Sequence, residues 1–388
     1  MNQSGTSHDV AIAHWGEHVN GGGDRVAWEL FRVFEDAPLY VGWRDESIEP
    51  DDIDAEQLID GRLNEWALKR GGVTRMVSHL LGWQVAEELR DHDVLVTSGN
   101  EPLFYVPPTE QVWVAYVHHT NRRQSDQIEE VNSGTLASLK LLFYYAVRVA
   151  FDHNTHKPDL FVANSEQVKR RMIRYWGVPA EKIEVVYPPV DTHNYSPDDA
   201  ETEEYYLTLS RLDWHKSVDD IVRAFDGLDA ELVVAGDGPE RDRLEAMAGP
   251  NVRFTGYVDE SNKRELLAGA KAFVFNGQDE DFGISPVEAL ASGTPVLGVE
   301  EGMTQYQVVD GKNGYTFQRD EEGETIRDEI REFEETGVDW SDSEIASFAD
   351  RFSVQAFHER MHGMIEHAVK SAEVTPQWYT EIEDASRL

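Results

Sequence analysis

NGQDEDFGISPVEALASGTPVLGVEE, residues Asn276 to Glu301, begins where the apolar run Lys271–Phe275 (KAFVF) ends, and it contains a segment of helical character, PVEALA. A strand that runs through a loop into a helix is where α/β proteins receive anionic ligands, because the first-turn N–H groups have no partner inside the helix. Pro286 suits that first turn, where its missing N–H costs nothing. Seven residues separate Glu280 from Glu288, so one carboxylate is expected in the loop and the other about a turn inside the helix. Carboxylates placed this way can hold hydroxyl-rich groups, with the amides of Gly283, Ile284 and Ser285 left for an anion.

Working outward, the second half of the chain repeats short apolar strands alternating with helices: Tyr205–Ser210, Glu231–Ala235, Val252–Thr255, Lys271–Phe275 and Pro295–Val299. Such alternation implies a parallel sheet covered on both faces. The first half reads the same way, with strands at Val10–Ala13, Asp93–Thr97, Gln111–Val117, Asp159–Ala163 and Ile183–Tyr187, while residues 35 to 66 read as acidic and irregular. The proline- and acid-rich stretch around 192 to 203 is the best linker. The fold class expected is therefore α/β, two Rossmann-like doubly wound parallel-sheet domains with a cleft between their strand ends. The expected boundaries are 1–195 for the first domain, 196–370 for the second, and 371–388 as a helical segment returning to the first.

Two basic residues, Arg211 and Lys216, follow the first strand of the second domain. Basic side chains are scarce, 35 against 74 acidic, and only ten of them are lysine. Arginine can clamp phosphate oxygens bidentately and lysine adds a point charge, so the pair suits a diphosphate, the alternative being a surface ion pair. A nucleotide-sugar satisfies the basic pair, the free amides and the two carboxylates together. In the first domain, Gly21, Gly22 and Gly23 lie between a strand and a helix, a phosphate-loop arrangement in outline that a plain tight turn would also explain. His118 sits at the end of Gln111–Val117, where side chains point into the ligand crevice of such sheets.

Charge and composition exclude other classes. A net charge of −39 on a 388-residue chain with 40% apolar residues reads as an acidic globular protein suited to a halophile's high-salt cytoplasm, and it leaves no basic stripe for nucleic acid. The chain has no cysteine, which removes disulfides, thiolate metal sites and a cysteine nucleophile. The N-terminus does not read as a signal peptide, and no apolar run approaches the ~20 residues that span a bilayer. A cytoplasmic protein is expected, with possible peripheral contact at the inner membrane face through the apolar, aromatic stretch 136–151; a packed helix is the blander reading of that stretch.

Taken together, EDFGISPVE, SRLDWHK, VVAGDGPE, FTGYV, SGTPVLG and VDGKNGYTF, with GGGDRVAWEL, YVHH and FVANSEQVKRRM earlier, make most of the chain resemble the family-4 retaining glycosyltransferases of the GT-B fold. The resemblance implies that Glu280 contacts the donor sugar, Glu288 the nucleotide ribose, and Arg211 and Lys216 the diphosphate. It implies that His118 approaches the donor sugar and that the loop of Gly22 and Gly23 lies near the phosphates and the acceptor. It implies catalysis without a metal or other cofactor, using a UDP- or GDP-sugar. The acidic surface and the aromatic stretch 136–151 point to a saccharide or lipid-linked saccharide acceptor, as in surface-glycan or protein N-glycan assembly. Three departures stand out: Ser217 where the family usually has glycine, Asp281 in a Glu-Asp-Phe-Gly run, and Gly302-Met303-Thr304-Gln305-Tyr306 lacking the usual glutamate. An epimerase or sugar phosphorylase on the same architecture would show itself by epimerised donor or phosphate dependence, and a non-catalytic binding module by tight UDP binding without turnover.

Overall fold

The computed structural model describes residues 8–16, 21–34, 37–59, 61, 66, 72–120, 141–142, 145–146, 149, 157–320 and 322–372. The chain divides into two compact units, residues 1–186 with 358–388, and 187–357.

In the first unit the strands are β1 (Val10–His14), β2 (Leu39–Val41), β3 (Ala55–Gln57), β4 (Val94–Ser98), β5 (Val112–Val117), β6 (Leu160–Ala163) and β7 (Ile183–Val185). They form one sheet in the order β3-β2-β1-β4-β5-β6-β7, and every pairing is parallel. All residues of β1, β4, β5 and β6 are buried, as expected of strands covered on both faces. Helix α1 (Gly22–Val33) follows β1 and buries Val26, Ala27, Trp28 and Leu30. Helices α2 (Gly72–Gln84) and α3 (Glu166–Arg171) follow later in the unit. One core cluster joins Trp83, Tyr105, Trp113 and Phe161, all fully buried. Buried aromatics of this size dominate core energetics, and Trp113 Nε1 donates to Thr97 Oγ1 at 3.0 Å, so its one polar atom is satisfied.

The second unit holds β8 (Tyr205–Leu209), β9 (Glu231–Ala235), β10 (Val252–Gly256), β11 (Ala272–Phe275), β12 (Val296–Val299) and β13 (Gly314–Phe317), in the parallel order β10-β9-β8-β11-β12-β13. Its helices are α4 (Val218–Ala224), α5 (Arg241–Met247), α6 (Glu260–Gly269), α7 (Ile284–Ala291), α8 (Thr304–Gln307), α9 (Glu324–Thr336) and α10 (Asp342–Ala349). Two core clusters, one containing Phe273 and Leu290 and the other Tyr206 and Phe225, cover opposite faces of the sheet. The stretch read as acidic and irregular contains β2 and β3, each three residues long.

Both strand orders reverse once, between β1 and β4 in the first unit and between β8 and β11 in the second. The crevice outside the carboxyl ends of strands at such a reversal is where open α/β sheets take ligands.

The boundaries anticipated near 195 and 370 fall at 186/187 and 357/358 in the contact-defined units. The reason is local. Val190 N donates to Phe352 O at 2.9 Å, Val354 N donates to Val190 O at 3.1 Å, and Tyr195 packs in a second-unit core, so the proline-rich turn belongs to that unit. Helix α11 (Val354–Ala372) starts in the second unit and joins the first from His358 onward, where His358 Nε2 meets Glu29 Oε2 at 2.7 Å and His362 stacks on Phe34. The segment expected at 371–388 lies outside the described residues except for its first two. Only Leu141, Leu142, Tyr145, Ala146 and Val149 of the 136–151 stretch are described. No helix among the described residues is long and apolar enough to cross a membrane.

Candidate active site

In the second unit, the loops after β8 and β11 carry the residues singled out by sequence. Asp213 caps the turn Trp214–Lys216 by accepting from His215 N at 3.1 Å. Ser217 closes that turn with φ +44°. Across from it, Asp279 has φ +47°, and these are the only two non-glycine residues with positive φ among the described residues. They flank the two charges of one ion pair: Lys216 Nζ lies 2.6 Å from Glu280 Oε2, and each side chain is 26% exposed. Left-handed backbone at a non-glycine residue is costly and persists where the surroundings over-determine it. Here the surroundings are specific. Gln278 N donates to His215 O at 2.8 Å, Gln278 Nε2 to Ser217 Oγ at 3.1 Å, and Asn276 Nδ2 to Asp220 Oδ2 at 3.2 Å. The positive φ of Ser217 is also the physical reason glycine suits that position.

Arg319 braces the same loop. Its Nε donates to Glu301 at 3.0 Å, and one terminal nitrogen donates to Asn276 O at 3.1 Å and Gly277 O at 3.2 Å. Met303 N donates to Glu280 O at 2.9 Å. Gly302 beside it has φ +57°, and a Cβ there would stand 2.4 Å from Glu280 O, so the close approach requires glycine. The loop that lacks the usual glutamate therefore still supports Glu280 through its backbone.

Gly283 (φ +77°) opens α7. Gln307 Nε2 holds that opening by donating to Phe282 O at 2.7 Å and Gly283 O at 3.1 Å. The N–H groups of Gly283, Ile284 and Ser285 donate to nothing among the described residues, which leaves them for an anion. Arg211, just past β8, is exposed and forms no ion pair among the described residues. Glu288, inside α7, is only 5% exposed. Its Oε1 accepts from Tyr195 OH at 2.9 Å and Lys263 Nζ at 2.8 Å, and Lys263 also meets Glu260 at 3.0 Å. A carboxylate buried this deeply needs such a partner, and both contacts fall on one oxygen.

In the first unit, His118 follows β5 and is partly buried. Burial, and then the neighbouring His14, hold its imidazole well below the ordinary histidine range. Asn164 Nδ2 fixes its backbone, donating to His118 O at 2.7 Å. The glycine loop lies alongside: a Cβ on Gly23 would stand 4.0 Å from both His118 and His14. Gly22 and Gly23 are the first residues of α1, with Gly21 as its N-cap.

The structure thus gathers Arg211, Lys216, Glu280, Gly283, Ile284, Ser285 and Glu288 around the carboxyl ends of β8 and β11, and Gly23 with His118 around those of β1, β4 and β5. It also adds residues that sequence spacing did not single out: His14, Asp24 and Ser98 in the first unit, and Tyr195, Lys263 and Arg319 in the second. The scarcity of lysine was the one signal in the sequence for Lys263. Among the described residues, no group of three or more His, Asp or Glu side chains is placed to hold a metal ion.

Residues 191–345 match the family described as Glycosyl transferases group 1, and residues 49–194 match Glycosyltransferase Family 4. An uncharacterized glycosyltransferase of Methanocaldococcus jannaschii is 26% identical over 167 residues, 37% of this chain and 43% of that protein. The GDP-mannose-dependent alpha-(1-6)-phosphatidylinositol dimannoside mannosyltransferase of Mycobacterium tuberculosis is 41% identical over 85 residues, 21% of this chain and 22% of that protein. The chain therefore matches less than half the length of either relative. HepE of Anabaena, solved with UDP, superposes with a TM-score of 0.71 at 17% identity, covering 92% of this chain and 100% of HepE; its UDP-glucose complex gives 0.68. That likeness is one of fold. The chain is built from a Glycosyltransferase Family 4 domain followed by a Glycosyl transferases group 1 domain, on the two-sheet GT-B fold.

Proposed function

We propose that the protein is a retaining glycosyltransferase that moves a hexose from a UDP- or GDP-sugar to a saccharide or lipid-linked saccharide. The observation that carries this reading is the arrangement at the β8/β11 reversal. Two cations and three free helix-start amides meet there, with one carboxylate in the loop and another buried in the helix. HepE was solved with UDP and UDP-glucose, and the mycobacterial relative is named for GDP-mannose, so both nucleotides stand as candidates.

Arg211 and the amides of Gly283, Ile284 and Ser285 receive the diphosphate. Lys216 turns from Glu280 toward the phosphate, or bridges the two, as the diphosphate supplies a stronger negative partner. Glu280 then accepts from hydroxyls of the donor sugar, and the open oxygen of Glu288 accepts from the ribose. As the bond from the anomeric carbon to the diphosphate oxygen breaks, negative charge grows on the leaving group, and fixed cations stabilise it in the transition state more than in the ground state. The acceptor oxygen forms its bond on the same face, and its proton passes to the departing diphosphate. His118, uncharged at neutral pH by the direction of its shift, serves the sugar as a neutral hydrogen-bonding group. No step in this scheme uses a metal.

The test is transfer from a panel of nucleotide sugars in molar KCl, with the anomeric configuration of the product read by NMR. Product of retained configuration, lost in Lys216→Ala, supports the reading, whereas inverted product or full activity in that variant refutes it. A lipid-linked acceptor has separate support in the exposure of Leu142, Tyr145 and Val149 at 65%, 64% and 53%. Vesicle co-sedimentation unchanged by serine at Leu142 and Tyr145 would remove that support.

A further inference from the structure

The carboxyl ends of β1 and β4 carry a chain of hydrogen bonds that ends on His118. Asp24, 3% exposed, accepts from Gly21 N at 3.0 Å and lies 3.2 Å from His14 Nε2. His14 is fully buried, and its Nδ1 lies 3.1 Å from Ser98 O and 3.0 Å from Ser98 Oγ. Ser98, also fully buried, places Oγ 2.8 Å from His118 Nε2. The other ring nitrogen of His118, Nδ1, has no partner among the described residues.

The Ser98 carbonyl in this chain points to one direction for its protons. The Ser98 carbonyl can only accept, so His14 Nδ1 carries a proton directed at it. The Asp24 carboxylate, 3.2 Å from the second nitrogen of the same ring, holds that ring in place. His14 therefore meets Ser98 Oγ as a donor, and the hydroxyl proton of Ser98 is free to point at His118 Nε2. Which nitrogen of a neutral histidine holds the proton is set by the hydrogen bond the other nitrogen makes.

We propose that Asp24, His14 and Ser98 are positioning residues that hold His118 as the Nδ1–H tautomer, with Nε2 accepting from Ser98 Oγ. His118 then presents one donor, on Nδ1, and cannot rotate without breaking the Ser98 bond. The same carboxylate that orients His14 also ties Gly21, so the start of the glycine loop and the ring of His118 are fixed by one buried network. The direction of the His118 shift, downward through burial first, with His14 adding to it and Asp24 opposing it, fits a bare Nε2. The consequence for turnover rests on the glycosyltransferase reading, because it needs His118 to touch the donor sugar; the tautomer does not.

The test uses the intact protein labelled with ¹⁵N in its histidine rings, with the His118 resonances assigned from His118→Gln. Long-range ¹H–¹⁵N spectra distinguish a protonated from a bare ring nitrogen. The expected result is a protonated Nδ1 and bare Nε2 in the wild type, changing to a tautomer mixture in Ser98→Ala while the melting curve stays cooperative. In transfer assays, Ser98→Ala is expected to lower kcat by roughly tenfold to a hundredfold, with the donor KM changing less than about twofold. A proton on Nε2 in the wild type overturns the proposal, and so does a tautomer unaltered in Ser98→Ala. If no nucleotide sugar is turned over by the wild type, the functional reading fails, and the ring spectra still decide the network.

Discussion

The ion pair between Lys216 and Glu280 gives the site an uncommon response to mutation. In the structure the cation assigned to phosphate and the carboxylate assigned to sugar hold each other at 2.6 Å, each 26% exposed. Lys216 is thus partly neutralised, and under the proposed reading a diphosphate competes with Glu280 for it. Exposed pairs contribute up to about 1 kcal/mol, and this one, three-quarters covered, sits at the upper end. Glu280→Gln keeps the shape of the side chain and removes the charge. Binding of UDP, which has no sugar for Glu280 to hold, should therefore tighten by about fivefold, the ratio that corresponds to 1 kcal/mol. Transfer from a nucleotide sugar should meanwhile fall below a hundredth of wild type. Lys216→Ala should weaken UDP by tenfold or more, because a charge-assisted contact is lost. Titration calorimetry with UDP in molar KCl reads all three proteins. If Glu280→Gln weakens UDP as much as Lys216→Ala does, the two residues do not compete and the reasoning is wrong.

Other substitutions probe the scaffold around the site. Ser217→Gly should change stability by less than about 1 kcal/mol, since relief of the left-handed backbone offsets the lost Gln278 contact, whereas Ser217→Val should cost about 2 kcal/mol in urea unfolding. Lys263→Met strips Glu288 of its buried cation and should destabilise by about 3 kcal/mol in urea unfolding. Glu329, raised to about 7 by burial and by Glu332 and Asp310, has a folded pKa above its unfolded one, so its contribution is complete below about pH 4.5 and lost as pH rises through 7. Glu329→Gln should accordingly stabilise the fold at pH 8 by about 1 kcal/mol after solvent screening, seen as a higher melting temperature, and leave it unchanged at pH 4.

What could be read from sequence followed from burial. Strands β1, β4, β5, β6, β9 and β11 are buried over most or all of their length, so they spell mainly apolar runs, and their ends were visible to within a residue or two. Strands β2 and β3 are three residues long, and Glu56 in β3 faces solvent, so neither length nor alternation marked them. The proline-rich turn read as a linker because composition cannot show that Val190 bonds across to Phe352 and Val354. In the site, Glu280, Gly283, Ile284, Ser285 and Glu288 were visible because one strand–loop–helix stretch carries them all. The residues that hold them were not. His14 and Ser98 lie 84 positions apart, Tyr195 and Glu288 93, and such pairings exist only once the sheet has formed. Ser217 was a departure from a sequence pattern until its φ of +44° gave the pattern a cause.

The site proposed for a nucleotide-diphosphate sugar lies where β8 and β11 part. Equilibrium titration of the intact protein with UDP-glucose and GDP-mannose, in molar KCl with a chelator present, tests it most directly. Saturable binding of at least one of them is expected, weakened at least tenfold in Arg211→Ala and in Lys216→Ala while both variants melt as the wild type does. Binding that neither substitution weakens, or no binding of any nucleotide sugar to the folded protein, would contradict it.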